Sequence, residues 1–190
     1  MTENIIHTRI PHERLGVLIG SSGNAKRIIE NKFDVNVEVD SETGDVEIKS
    51  KKKLLDPIKL LRARDTIIAI GRGFSSERAF RLFNNEENLG IIDLRGIFKS
   101  QSDIQRIKGR IIGKNGKTRR LIEELTGADI SIYGHTVSII GEFKQFEVAK
   151  EAIEMLIKGK LHKSVYGFLQ RKRFVLKKDD IVLWKPSLPI

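Results

Sequence analysis

The chain repeats itself, and the repeat limits what it can fold into. Leu18-Ile19-Gly20-Ser21-Ser22-Gly23-Asn24-Ala25-Lys26-Arg27-Ile28-Ile29-Glu30 aligns with Ile111-Ile112-Gly113-Lys114-Asn115-Gly116-Lys117-Thr118-Arg119-Arg120-Leu121-Ile122-Glu123 at an offset of 93 residues without a gap. At the same offset Val37 and Val39 fall on Ile130 and Ile132. A chain of 190 residues with such a duplication reads as two small modules rather than one larger domain.

Each copy carries the same run of local signals. Val35, Val37 and Val39 alternate with polar residues, Ser41–Gly44 makes a turn, and Val46 and Ile48 alternate again, which predicts a β-hairpin. Ile130 and Ile132, the turn Tyr133-Gly134-His135, then Val137 and Ile139 predict a tighter one. Ala149, Ala152, Ile153, Leu156 and Ile157 share one helical face, and Ala63, Ile67 and Ile70 match it 86 residues earlier. Strand-like runs at Ile5–Ile10 and Ile91–Phe98 open the copies, and short helical stretches at 12–19 and 102–112 lead to the glycines. The expected fold is therefore α+β: two units of order β-α-α-β-β-α, each a three-stranded antiparallel sheet with helices on one face. Residues 1–83 would form the first unit with a trailing helix at 75–83. Residues 84–90 would be a polar linker, 91–173 the second unit with a trailing helix at 160–173, and 174–190 a C-terminal tail.

Gly20-Ser21-Ser22-Gly23 and Gly113-Lys114-Asn115-Gly116 each join two short helices. Glycines at this spacing permit a tight turn at positive φ and remove the side chains that would hold a polyanion away. The helix that follows offers unpaired N–H groups and the positive end of its dipole to phosphate oxygens. Charge separates the copies. Residues 1–87 carry 15 basic and 14 acidic side chains, net +1, whereas residues 88–190 carry 20 and 11, net +9. A basic surface suits a polyanion, but lysine-rich solubility or heat adaptation gives the same total, and charge by itself does not choose.

The Ile-Gly-x-x-Gly turn between short helices, followed by a hairpin and a helix, resembles the type I KH domain over residues 3–73 and 91–159. That resemblance implies a clamp on about four nucleotides of single-stranded nucleic acid. Lys108–Glu123, Tyr133-Gly134 and Ile139-Ile140-Gly141 further resemble the archaeal members of a two-KH family whose eukaryotic relatives are the Krr and partner-of-Nob (Dim-type) factors of small-subunit ribosome assembly. This implies binding to the 3′ region of small-subunit ribosomal RNA. It also implies two protein partners, a Nob-type endonuclease and the alpha subunit of translation initiation factor two. Two departures stand out. Lys26 and Arg119 occupy positions where KH domains usually carry an aliphatic residue, and the first turn holds Ser-Ser where the second holds a lysine.

The dominant RNA site is therefore expected in the second copy. Gly113, Lys114, Asn115 and Gly116 would meet phosphates. Arg110, Lys114, Lys117, Arg119 and Arg120 would neutralise backbone charge, and Ile112, Leu121, Ile130 and Ile132 would support bases. A weaker site is expected in the first copy, with Ile19, Gly20, Ser21, Ser22 and Gly23 at the turn and Lys26, Arg27 and Val37 beside it.

Other chemistries fit poorly. Gly116-Lys117-Thr118 mimics the end of a phosphate loop, but that motif needs a glycine five residues before Gly116, where Ile111 stands. His7, His12, His135 and His162 show no metal-ligand spacing, and there is no cysteine. We therefore expect no catalysis, no metal and no cofactor. No apolar run is long enough to span a bilayer, and no signal segment is evident, so the expected location is cytoplasmic. Two other roles fit the same residues: a general messenger-RNA regulator, and a protein-interaction scaffold in which the first KH unit has lost nucleic-acid binding.

Overall fold

A computed structural model describes residues 5–51 and 56–183. The first half runs β1 (Ile5–Arg9), α1 (His12–Ile19), α2 (Asn24–Phe33), β2 (Val35–Val39), β3 (Asp45–Ser50) and α3 (Pro57–Gly71). After α4 (Ser76–Ala79) and a 3-10 turn over Phe80–Phe83, the second half repeats the order. It comprises β4 (Glu87–Asp93), α5 (Gln101–Ile112), α6 (Lys117–Thr126), β5 (Asp129–Tyr133), β6 (Thr136–Glu142) and α7 (Phe143–Ile157), followed by α8 (His162–Leu183). The sheets are ordered β1-β3-β2 and β4-β6-β5, antiparallel throughout, so β2 and β5 are edge strands. The β-α-α-β-β-α order expected of each half is present.

Sequence pattern explains the elements. Ala25, Ile29 and Phe33 recur every four residues and bury one face of α2, and Thr118, Ile122 and Leu125, spaced four and then three apart, bury one face of α6. Asp34 in the left-handed region ends α2, and Gly127 at φ +80° ends α6. Pro57 opens α3 behind Asp56, whose carboxylate accepts from the Ile58 amide at 2.9 Å. Leu18, Ile29, Val35, Val37, Ile48 and Ile67 form the first core, and Ile107, Ile111, Ile122, Ile130, Ile139 and Ile153 belong to the second.

Two boundaries differ from the sequence reading. The first strand of the second copy starts at Glu87, inside the stretch read as a linker, and ends at Asp93. Beyond it, Leu94–Gly96 is a 3-10 turn capped by the Asp93 carboxylate on the Arg95 amide at 2.9 Å. The polar run concealed this strand because Glu87 looks solvated in sequence. In the structure it is buried, its carboxylate held by the Arg81 guanidinium at 2.7 Å. The last helix also runs past residue 173 to Leu183. Residues 184–190 of the expected tail lie outside the described residues.

The halves are packed together rather than tethered. Residues 136–141 of β6 are all buried, because both faces of the strand are covered. Val137 and Ile139 face their own core, while Ile140 belongs to the first core, and Leu89 of β4 packs against that core as well. Ser131 donates to the Arg72 carbonyl at 2.9 Å, and a Cβ on Gly73 would lie 2.8 Å from the Tyr133 Cβ. The second sheet's outer face thus rests on the end of α3 and the α4 segment.

Candidate nucleic-acid interface

The two glycine turns are conformational copies. Gly20 sits at φ 71°, ψ 179° and Gly113 at φ 71°, ψ 172°, a region open essentially only to glycine. Ser22 (φ 51°) and Asn115 (φ 53°) are left-handed, as are Gly23 (φ 77°) and Gly116 (φ 75°). The first glycine of each turn is also sterically required. A Cβ on Gly20 would lie 2.9 Å from the Ala25 nitrogen, and one on Gly113 would lie 2.8 Å from the Thr118 nitrogen. The second glycine faces open space in both copies: a Cβ on Gly23 meets nothing within 4 Å, and one on Gly116 meets only the Arg120 side chain at 4.0 Å. Each turn therefore packs at its start, exposes its crest, and leads into the N-terminus of α2 or α6 with backbone N–H groups presented outward.

Side chains diverge where the backbones agree. Lys114, Asn115 and Lys117 are exposed around the second turn, while Ser21, Ser22 and Asn24 occupy those places in the first. Arg120 donates to the Asn115 carbonyl at 2.8 Å, and Arg27 donates to the Ser22 carbonyl at 3.0 Å. The same brace holds both turns, and each guanidinium keeps further donors beside it.

The edge strands border the turns. The Ile130 amide of β5 donates to Glu123 of α6 at 3.0 Å, and the Val37 amide of β2 donates to Glu30 of α2 at 2.8 Å. Arg119 lies 3.8 Å from Glu123 and Lys26 lies 3.8 Å from Glu30. This gives a reason for a cation where an aliphatic residue is usual: it neutralises the carboxylate that ties helix to strand. Glu30 and Glu123 escaped the sequence reading as functional residues, although they close the aligned repeat.

The remaining candidates divide by burial. Ile112, Leu121, Ile132 and Ile19 are half-buried and offer apolar surface. Ile130 and Val37 are 1% exposed core residues whose side chains are closed to a base. Arg110 reaches away from the turn, donating to the Leu156 carbonyl at 3.4 Å and the Lys160 carbonyl at 2.7 Å, so its charge is held at the C-terminal end of α7. Lys117, Arg120 and Arg27 are thus exposed, each beside the turn of its own module, while Arg119 and Lys26 sit in ion pairs.

Among the described residues there is no cluster of His, Asp or Glu suited to a metal ion, and no helix long and apolar enough to cross a membrane.

Comparison with known proteins agrees with this geometry. Residues 88–174 match the model of the eukaryotic type KH-domain (KH-domain type I), and residues 11–85 match that of the Krr1 KH1 domain. A KH domain-containing protein of Methanocaldococcus jannaschii is 47% identical over 177 residues, spanning 93% of this chain and 78% of that protein. The crystal structure of Dim2p from Pyrococcus horikoshii is 49% identical with a TM-score of 0.82, covering 88% of this chain and 99% of that one. A complex of a/eIF2alpha, aDim2p and rRNA from the same organism contains a chain 47% identical with a TM-score of 0.84, covering 91% of this chain and 96% of that one. With its duplicated turn, its paired sheets and this similarity along most of its length, the chain belongs to the archaeal two-KH family of ribosomal-RNA-processing proteins.

Proposed function

We propose that this protein is a non-enzymatic, single-stranded RNA-binding factor that grips the 3′ region of small-subunit ribosomal RNA during its maturation, chiefly with its second KH module. One observation carries the reading. The Gly113–Gly116 turn stands open at the head of α6 with Lys114, Asn115 and Lys117 exposed around it. Phosphates would meet the turn and the helix start. Ile112, Leu121 and Ile132 would support the bases, and the backbone of β5 beyond Ile130 would meet their edges. Gly20–Gly23 would bind the strand more weakly, having the same backbone without the lysines. The aDim2p complex, which holds a/eIF2alpha and rRNA, supports both the RNA and the alpha subunit of that initiation factor as partners. The family resemblance adds a Nob-type endonuclease.

The test is a double substitution in each turn. Lys114→Asp with Asn115→Asp puts two carboxylates against the strand and should cut affinity for a single strand copying the ribosomal 3′ end by at least about tenfold, equivalent to about 1.4 kcal/mol. Ser21→Asp with Ser22→Asp should do less. Equal losses, or none, would refute the assignment. Sequencing RNA cross-linked to the protein in cells separates a ribosomal target from messenger RNA.

A further inference from the structure

Behind the second turn, on the side of α8, lies an open cleft of about 450 Å³ between α5, the turn and the start of α8. Arg106, Arg110, Lys114 and Lys117 line it. Arg106 is paired with Asp103 at 2.8 Å, and Arg110 bonds only to backbone carbonyls. Lys114 and Lys117 have no carboxylate partner among the described residues. Four cations therefore line the cleft, one of them paired with a carboxylate. The wall is polar as well: His162 donates from Nε2 to the Arg110 carbonyl at 3.0 Å, and the Tyr166 and Thr118 hydroxyls are 2.9 Å apart. A side chain at Gly109 would point into open space, so the cleft is bare where α5 passes it.

The equivalent positions of the first module lack this charge. Ninety-three residues earlier stand Glu13, Val17, Ser21 and Asn24, and Ser76 of α4 donates to the Val17 carbonyl at 3.0 Å. The charge that separates the two halves is concentrated here.

We infer that this cleft is a second phosphate site, which takes a backbone phosphate of the same RNA strand just outside the segment gripped by the turn. The inference rests on the RNA-binding reading above. Continuity favours a strand over a separate small anion: Gly113 and Lys114 belong to both the turn and the cleft, and Lys117 of the cleft directly follows the turn, so a phosphate at one lies next to a phosphate at the other. The cleft's openness suits a chain passing through. The second module should then contact a longer stretch of RNA than the roughly four nucleotides of one KH groove.

Arg106 tests this, because it is 64% exposed and lies outside the turn. The probes are a single strand of about twelve nucleotides copying the ribosomal 3′ end and a set of tetranucleotides tiling it, the tetranucleotides matching the reach of one groove. In fluorescence anisotropy, Arg106→Glu should weaken the long strand about five- to tenfold and lower its salt slope by about one, leaving the best tetranucleotide within about twofold. Arg106→Gln should give the same pattern at smaller size. A loss equal at both lengths, or absent at both, overturns the inference. A backbone amide spectrum in which His162 and Tyr166 respond equally to the tetranucleotide, or to inorganic phosphate but not to the long strand, also overturns it. Failure of the unmodified protein to bind any strand would remove the RNA-binding reading and this one together, whereas tight binding without length dependence removes this one alone.

Discussion

Gly113 and Gly116 both hold positive φ, yet a methyl group would act on them differently. At Gly113 the ψ of 172° adds a region that other residues avoid, and the added carbon would lie 2.2 Å from the Thr118 hydroxyl. Gly113→Ala should therefore cost about 2–3 kcal/mol, and Gly116→Ala about 1 kcal/mol, in denaturant unfolding. Asn tolerates the left-handed region better than Ser, so Ser22→Asn should raise stability slightly. Tyr133 gives a pH prediction. Burial, and then its hydroxyl's bond to the Glu13 carboxylate, push its pKa from 10.0 up to about 12. The folded state holds this proton more tightly than the unfolded chain does. The stabilisation is complete below pH 10.0 and disappears as pH rises through about 12. In a Tyr166→Phe background, absorbance titration should show the single remaining tyrosine ionising near 12, and lower once Glu13→Gln is added. At this scale the sequence was an uneven guide. Glycine spacing located both turns, because backbone conformation is a local property. The setting of Arg110 was not legible, because the carbonyls it donates to, on Leu156 and Lys160, lie more than forty residues away.

Helix and edge strand are joined by one carboxylate in each module. Removing it by Glu123→Ala would leave the Ile130 amide without its acceptor and Arg78 and Arg119 without their shared anion. The expected loss is about 1–3 kcal/mol, with faster hydrogen exchange at Ile130 than at the paired strand interior. Glu30→Ala should act in the same way on Val37, without the contribution of Arg78. Elements with a period of their own were legible: α2, α6, α7 and both hairpins follow from alternation and from i, i+4 spacing. β4 was displaced by several residues because Glu87 and Asn88 break its apolar pattern. What places the strand is pairing with β6, in register Leu89↔Ile140 and Ile91↔Ser138, and that pairing is non-local.

At the scale of the molecule, the two modules share a seam that a duplicated sequence cannot announce, since the seam is where the copies differ. Arg81 bridges Glu87 at 2.7 Å and Asp129 at 2.9 Å and donates to the Gly127 carbonyl at 3.0 Å; Arg78 reaches Glu123 at 2.9 Å. Burial alone would loosen the proton on Arg81, but its bonds to Glu87 and Asp129 outweigh that effect and hold it above the ordinary value. Arg81→Ala strands the buried Glu87 carboxylate and should cost about 3 kcal/mol in thermal or denaturant unfolding. Ile140→Ala, which opens a cavity in the first core from the second sheet, should cost about 2–4 kcal/mol and broaden a single unfolding transition into two.

The burial of β6 on both faces also bears on how the chain is made. The N-terminal half leaves the ribosome first and can complete its own interior apart from the place kept for Ile140. The later half has no such independence, since Ile140 and Leu89 on the outer face of its sheet stay bare until a finished neighbour covers them. Synthesised alone, the C-terminal half should clump, whereas the N-terminal half supplied beside it should act as a template and keep it in solution.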